Sequence, residues 1–369
     1  MFGLALGVTI TACRPADGAS SSGSDGSRRE AGTSSADSGG PDADVGSETV
    51  FHGVTTQSWI SHTTPATQQP GAISAEVTSY EAAAGRTVAW VAFANEFSDA
   101  GRVFPTAIAT VIKGRGATPF IYLNLRSGGL PEPLFTLGAI NAGQFDADLG
   151  VWADGARDFG SQVIVDWGWE MNIDDAPWNG VHNGGPVEGP QRYRQAFRHI
   201  VELMRSRGAR NIHWAFHLNL PEHPAEAWNA FESYYPGDDV VDSTGVSIYG
   251  AQSPIDESPP SFIALLDAAY PRLLRMAPSK PIMVYEFGTT AGHPVVKPAA
   301  WADEALTGLL SRRWPNVRGF AWWNERFQTE YSPGAATEMR LEQIPELGAV
   351  FKAHLVDASN LGDRGPLGR

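Results

Sequence analysis

Two stretches decide the fold of this chain: VIVDWGWEMN at residues 163–172 and KPIMVYEFG at residues 280–288. Each contains a short apolar run that is typical of a buried strand, and each carries a glutamate near its end, Glu170 or Glu286. A carboxylate among aromatic side chains at the mouth of a buried strand is costly, because desolvation penalises the charged form. We therefore predict that the two glutamates form one functional pair.

Eight apolar or β-branched runs of this kind occur along the chain, and stretches with helical periodicity separate most of them. The runs are VFHGVTT, TVAWVAF, TPFIYLNL, QVIVDWGW, NIHWAFHL, STGVSIYG, PIMVYEF and VRGFAWW. This α/β alternation predicts a (β/α)8 TIM barrel, in which the carboxyl ends of all strands meet on one face. Glu170, ending the fourth run, and Glu286, ending the seventh, would then lie on the same face. No GxGxxG or GxxxxGK[ST] motif opens a helix, which argues against a nucleotide-binding sheet.

Composition excludes several classes of partner. The chain has 369 residues and a formal net charge of −14, and its basic residues form no cluster or stripe. Nucleic acid and anionic membrane surfaces are therefore disfavoured as partners, whereas a neutral substrate is compatible. Cys13 is the only cysteine, which excludes an intrachain disulfide and a cysteine metal cluster. The histidines show no HxH or HExxH spacing, so we expect no metal and no cofactor.

The N-terminal segment predicts export. Residues 1–13, MFGLALGVTITAC, read as a signal peptide, and Ile10 to Cys13 resemble the bacterial lipobox, whose cysteine becomes lipidated. Residues 14–47 are rich in Ser, Gly and Asp and predict a disordered tether, residues 48–356 a folded domain, and residues 357–369 a disordered tail. We expect a monomer that is secreted or held at the bacterial cell envelope by a lipid anchor. An incidental cysteine is the alternative, since no Lys or Arg precedes the apolar run.

Four motifs together resemble glycoside hydrolase family 26, the β-mannanase family within the clan of retaining (β/α)8 glycosidases. They are WEMN at 169–172, YPGDDVVDSTGVSIYG at 235–250, YEFG at 285–288 and FAWWNE at 320–325. The resemblance covers roughly residues 50 to 355. It implies that Glu170 is the acid/base and Glu286 the nucleophile, and glycoside hydrolysis does require such a pair of carboxyl groups.

The resemblance also implies roles for other residues. Tyr249 would hydrogen-bond the nucleophile, Asn219 would contact the ligand, and either Trp322 or Trp323 would form the floor under the sugar at the cleavage point. Flat aromatic faces near strand ends suit stacking on pyranose rings. The remaining candidates for substrate contact are Trp169, Asn172, Trp178 and His217.

Three departures from the family pattern bear on the substrate. Trp169 stands where the family has histidine, Asp166 where it has arginine, and Asp175 where it has an aromatic residue near the cleavage point. We predict a retaining hydrolase of a β-linked polysaccharide, with endo cleavage of β-1,4-mannan as the first guess. β-1,3-Xylan and mixed-linkage β-glucan are the alternatives within the family. From another class, the chain could be a non-catalytic glycan-binding surface lipoprotein.

Overall fold

The computed structural model describes residues 49–56, 68–97, 102–257, 259–327 and 335–362. Eight parallel strands close into a barrel in sequence order, so the predicted (β/α)8 barrel is confirmed. Each predicted run supplies one strand. The strands are β1 (Phe51–Thr55), β2 (Trp90–Glu96), β3 (Thr118–Asn124), β4 (Val163–Asp166), β5 (Ile212–Leu220), β6 (Ser243–Tyr249), β7 (Ile282–Gly288) and β8 (Val317–Trp323). A short antiparallel pair, β9 (Arg326–Phe327) and β10 (Thr337–Glu338), follows β8.

Helices follow most of the strands in the described part of the chain. They are α1 (Gln69–Ala84), α2 (Thr106–Gly114), α3 (Leu137–Asn141), α4 (Asp146–Phe159), α5 (Gly185–Ser206), α6 (Phe262–Met276), α7 (Pro298–Leu310) and α8 (Pro345–Leu355). Between β5 and β6 the chain forms 3₁₀ turns at Ala227–Asn229 and Phe231–Tyr234 in place of an α-helix.

The inside of the barrel is filled by side chains rather than hollow. Trp90, Phe120, Ile164, Met283 and Tyr285 are buried there in one apolar cluster. Gly245 in β6 makes room for this filling, because a Cβ at that position would lie 1.9 Å from the ring of Tyr285.

A β-bulge in β7 changes which side chains face the inside. Val246 of β6 pairs with Val284, but the next residue, Ser247, pairs with Glu286, so Tyr285 is an extra residue in β7. Tyr285 packs inside the barrel against Phe120, with ring centroids 4.9 Å apart. Glu286 also reaches the inside, as its hydrogen bonds below demonstrate. A bulge of this kind re-aims a side chain that strict alternation would point to the other face.

The C-terminal boundary of the folded domain lies beyond the predicted one. The backbone N–H of Val50 donates to the carbonyl of Asn360 at 2.8 Å, and that of Gly362 donates to the carbonyl of Val50 at 2.9 Å. Residues 360–362 therefore pair with Val50 next to β1, and the described structure continues beyond the predicted domain boundary at residue 356. The predicted signal peptide, lipobox and tether at 1–47, and the tail beyond 362, lie outside the described residues. None of the helices in the described ranges is long and apolar enough to span a bilayer.

Candidate active site

Glu170 lies in a loop, four residues beyond the end of β4 at Asp166, so the prediction that it ends the fourth strand is corrected. Its backbone N–H donates to the carbonyl of His217 in β5 at 2.7 Å, which holds the loop against the neighbouring strand. The backbone of Glu170 is left-handed, with φ of 51°, a conformation that costs energy in a residue other than glycine. Such strain is typical of functional sites, where the surrounding structure enforces it.

Glu286 receives two hydrogen bonds from phenol groups. The hydroxyl of Tyr122 donates to Oε1 at 2.6 Å, and the hydroxyl of Tyr249 donates to Oε2 at 2.6 Å. The glutamate is 4% exposed, so these bonds replace most of its hydration. The contact from Tyr249 is the one that the family resemblance implies. The sequence analysis missed Tyr122, although its place near the end of the third predicted strand was a usable signal.

The two glutamates differ in protonation. Burial, followed by the nearby charge of Glu286, raises the pKa of Glu170 to about 7. Burial also raises the pKa of Glu286, but the charge of His217 and the hydrogen bonds from Tyr122 and Tyr249 oppose that rise. Since hydrogen bonds to a carboxylate favour the ionised form, Glu286 is the better placed of the two to carry the negative charge, and a pKa of about 7 lets Glu170 exchange a proton near neutral pH.

Behind Glu170 lies a buried polar chain that crosses three strands. His217 Nδ1 lies 2.7 Å from Asp166 Oδ2, and His217 Nε2 lies 2.8 Å from Ser247 Oγ. The side chains of Asp166 and His217 are fully buried. The prediction that His217 contacts substrate is therefore corrected, because the imidazole is enclosed and both of its nitrogens already have protein partners.

Three aromatic side chains near the glutamates remain partly exposed: Trp169, Tyr249 and Trp323. The ring of Trp169 lies edge-on to Tyr122 with centroids 5.5 Å apart. The ring of Trp323 lies edge-on to Tyr249 with centroids 6.2 Å apart. Trp169 thus adjoins one tyrosine partner of Glu286 and Trp323 adjoins the other, as expected for apolar surfaces that receive a sugar.

Two other predicted contact residues, Trp178 and Trp322, are buried beside these groups. Trp178 is 3% exposed and its Nε1 donates to the carbonyl of Trp169 at 2.7 Å, so it orients Trp169. Trp322 is fully buried, and its Nε1 donates to the carbonyl of Met339 at 2.7 Å, so it packs outside the barrel wall. These positions correct the prediction that Trp178 and Trp322 bind sugar. Of the two tryptophans ending β8, Trp323 is the one available to a ligand.

Asn172 and Asn219 bond each other. Asn172 is fully buried; its Nδ2 donates to the carbonyl of Asn219 at 2.8 Å, and its Oδ1 accepts from the Asn219 N–H at 2.9 Å. The side chain of Asn219 donates to the carbonyl of Pro221 at 2.8 Å. The predicted ligand contact by Asn172 is therefore corrected, and the pair ties the loop after Glu170 to the end of β5. Asn219 is 8% exposed, so its ligand contact stays a prediction.

The described residues were also compared with the requirements of a metal site. Within the ranges that the structure describes, no group of three or more His, Cys, Asp or Glu side chains could hold a metal ion. The site instead places two buried carboxyl groups near partly exposed aromatic rings, one with its pKa raised to about 7 and the other hydrogen-bonded by two phenol groups. That combination suits acid-assisted nucleophilic displacement.

Comparison with known proteins bears on the same segment. The sequence profile described as Glycosyl hydrolase family 26 matches residues 168–287, a segment that begins just before Glu170 and ends just after Glu286. The resemblance to glycoside hydrolase family 26 is confirmed. Two curated relatives are Endoglucanase H of Acetivibrio thermocellus, 27% identical over 58% of this chain and 22% of its own length, and Beta-1,3-xylanase TXYA of a Vibrio species, 32% identical over 30% of this chain and 22% of its own length.

Solved structures with the same fold include two of bacterial origin. A family 26 β-mannanase from Bacteroides ovatus has a TM-score of 0.59 at 14% identity and covers 87% of this chain and 92% of its own. The YdhT protein from Bacillus subtilis has a TM-score of 0.57 at 17% identity and covers 86% of this chain and 88% of its own. At such identities the likeness to family 26 structures is one of fold. The chain spans 22% of the length of either curated relative, so those proteins contain much that this chain does not match.

Proposed function

We propose that this protein is a retaining glycoside hydrolase that cleaves a β-linked polysaccharide. The proposal rests on one observation: the two buried carboxyl groups lie in different environments, which suit them to different chemical roles. Glu170 has its pKa raised to about 7, whereas Glu286 accepts hydrogen bonds from two tyrosines. One carboxyl is thus suited to donate a proton and the other to attack a carbon atom.

The reaction would proceed by two displacements. In the first, an oxygen of Glu286 bonds to the anomeric carbon, the glycosidic C–O bond breaks, and the Glu170 proton passes to the leaving oxygen. In the second, Glu170 takes a proton from water, whose oxygen attacks the anomeric carbon and displaces Glu286 as a carboxylate. Two inversions give net retention, and both glutamates return to their starting protonation.

We propose a first candidate substrate and two alternatives. β-1,4-Mannan cleaved internally is the first candidate, because the quoted motifs resemble the β-mannanase family. β-Glucan and β-1,3-xylan are the second, since the two curated relatives are named as an endoglucanase and a β-1,3-xylanase. The aromatic groups that a sugar would meet, Trp169 and Trp323, suit any pyranose with an apolar face.

A substrate panel with a matched inactive control tests the proposal. Purified protein and its Glu286→Gln variant would be incubated with mannan, β-1,3-xylan, mixed-linkage β-glucan and carboxymethylcellulose, and reducing ends would be measured. We expect release from at least one polysaccharide by the wild type and none by the variant. Binding of a polysaccharide by both proteins without release would favour the non-catalytic glycan-binding alternative.

Localisation is a separate proposal that rests on sequence alone. We infer that Cys13 is lipidated and that residues 14–47 tether the barrel to a bacterial membrane, because Ile10 to Cys13 resemble a lipobox. The Cys13→Ser variant should then move from the membrane fraction to the soluble or secreted fraction, with hydrolysis unchanged. Equal membrane association of both proteins would reject the anchor.

A further inference from the structure

Ser247 joins the side chains of the Asp166–His217 pair to the carboxyl group of Glu170. Its hydroxyl hydrogen-bonds the Glu170 carboxyl and lies 2.8 Å from His217 Nε2. His217 Nδ1 in turn lies 2.7 Å from Asp166. The resulting chain runs Asp166, His217, Ser247, Glu170 across β4, β5, β6 and the loop after β4.

Strand register makes this chain possible. Asp166 is level with Ala215 in β5, His217 is level with Gly245 in β6, and Ser247 pairs with Glu286 after the bulge in β7. From each strand to the next, the hydrogen-bonded residue therefore lies two positions nearer the carboxyl ends of the strands. The polar chain ends beside both glutamates without reaching solvent, since Ser247, like His217, is buried.

We infer that Asp166, His217 and Ser247 are positioning residues for Glu170: they direct the single Ser247 proton toward the Glu170 carboxyl and fix that carboxyl in the cleft. This inference rests on the proposed glycosidase activity only for its kinetic readout. A serine hydroxyl has one proton to give, so it cannot donate to the imidazole and to the carboxyl at once. The protonation of His217 decides which partner receives it.

The charges around His217 favour the imidazolium. Burial by itself would lower its pKa, but the carboxylates of Asp166, Glu286 and Glu170 raise it overall. An imidazolium donates from Nδ1 to Asp166 and from Nε2 to Ser247, which leaves the Ser247 proton for Glu170. The groups that face Glu170 are then Glu286 on β7, His217 on β5, Asp166 on β4 and Tyr249 on β6.

The donated hydrogen bond has a defined consequence for the acid/base. A hydrogen bond from Ser247 to the carboxyl group, together with the positive charge of His217, lowers the pKa of Glu170 and opposes the rise caused by burial. Without these three residues the pKa of Glu170 would be higher, so the carboxyl would pass its proton less readily to the leaving oxygen in the first displacement. Asp166 contributes by keeping the imidazole protonated and correctly rotated.

Barrel geometry supplies a matched control. Four residues earlier on the same two strands, His213 Nε2 lies 2.7 Å from Ser243 Oγ, and Ser243 also hydrogen-bonds Tyr285. This second His–Ser pair makes the same kind of contact at a deeper level of the barrel. Ser243→Ala therefore removes a buried hydroxyl without removing a bond to Glu170.

The test compares Ser247→Ala with Ser243→Ala. The pKa of the Glu170 carboxyl would be measured by ¹³C NMR titration of the free protein, and the Glu170→Gln variant would identify its signal. The basic limb of the pH profile of kcat/KM would be measured with any polysaccharide that the wild type cleaves. We expect Ser247→Ala to raise both midpoints by about 0.5 to 1 pH unit, the effect of losing one hydrogen bond. Ser243→Ala should leave both midpoints in place.

Two variants of His217 separate the effect of its hydrogen bond to Ser247 from the effect of its positive charge. His217→Gln can still donate to Ser247 without carrying a charge, whereas His217→Asn is too short to reach it. We expect the Asn variant to shift the Glu170 titration more than the Gln variant, and ¹⁵N NMR of the wild type to find both His217 nitrogens protonated near pH 6. An unmoved titration in Ser247→Ala, or equal shifts in Ser243→Ala, would overturn the inference even in an active enzyme. If no polysaccharide is cleaved, the carboxyl titration still decides it.

Discussion

The hydroxyl of Tyr249 donates to Oε2 of Glu286 at 2.6 Å, and this bond favours the ionised form of a carboxyl group that is 4% exposed. Together with Tyr122 on the other oxygen, it opposes the effect of burial on the pKa of Glu286. The proposed nucleophile therefore depends on two phenol groups, Tyr122 in β3 and Tyr249 in β6.

Removing either phenol group should weaken the nucleophile. We expect Tyr249→Phe and Tyr122→Phe each to lower kcat/KM by roughly 10- to 100-fold, because a hydrogen bond to a charged group contributes about 1.5 to 3 kcal/mol. The pKa of Glu286 should rise in both variants, which moves the acidic limb of the pH profile to higher pH. An unchanged acidic limb in both would contradict the assignment of Glu286 as the ionised group.

Azide should distinguish the two glutamates. Glu170→Ala should retain glycosylation by substrates with good leaving groups, while its turnover of polysaccharide falls roughly 10²- to 10⁴-fold for want of an acid. Azide should rescue Glu170→Ala with retention and Glu286→Ala with inversion, and NMR of the glycosyl azide reports the configuration. Inversion in the Glu170 variant would reverse the two roles.

Glu170 should make the folded state less stable as pH rises. Its pKa is raised to about 7 from the ordinary 4.5, so the folded protein binds this proton more tightly than the unfolded chain does. The associated stability is fully present below pH 4.5 and is lost as pH rises through 7, to an extent on the order of 3 kcal/mol. Glu170→Gln should therefore raise Tm at pH 8 and leave it nearly unchanged at pH 4.5. The exposed Glu304→Gln is the control, and an equal gain there would refute the assignment.

The two tryptophans at the end of β8 should respond differently. Trp323→Ala should raise KM by roughly 3- to 10-fold with little change in Tm, since it removes one stacking surface from the cleft. Trp322→Ala should reduce the free energy of unfolding by about 3 to 5 kcal/mol, because it leaves a large void between the barrel and its helices. Thermal denaturation with initial rates measures both, and a stable Trp322→Ala protein with raised KM would contradict their placement.

Gly245 should tolerate no side chain. Gly245→Ala would press against the ring of Tyr285, and we expect it to destabilise the fold by about 1 to 3 kcal/mol, as overpacked cores do. Gly71→Ala in α1 meets no atom within 4 Å and should be neutral or stabilising by about 0.5 to 1 kcal/mol. Chemical denaturation measures the free energy of unfolding of both variants. An equal change in the two would contradict the close contact between Gly245 and Tyr285.

Much of the fold and part of the site follow from the sequence. Eight apolar runs separated by helical patterns specified the barrel, since hydrophobic period and run length are local properties of a chain. Placing Glu170 and Glu286 on one face needed only the rule that parallel strands share their carboxyl ends. The contact from Tyr249 to Glu286 came from the motif resemblance.

Only the tertiary structure decided which way the key side chains point and what lies behind them. Alternation along β7 would place Tyr285 and Phe287 on one face and Glu286 on the other, yet the bulge turns Tyr285 and Glu286 inward together. The roles of Asp166, His217 and Ser247 likewise depend on register between three strands, which sequence spacing does not encode. Register and bulges are set by packing between residues distant in sequence, and for that reason the chain alone revealed the two carboxyl groups but not the contacts that set their protonation.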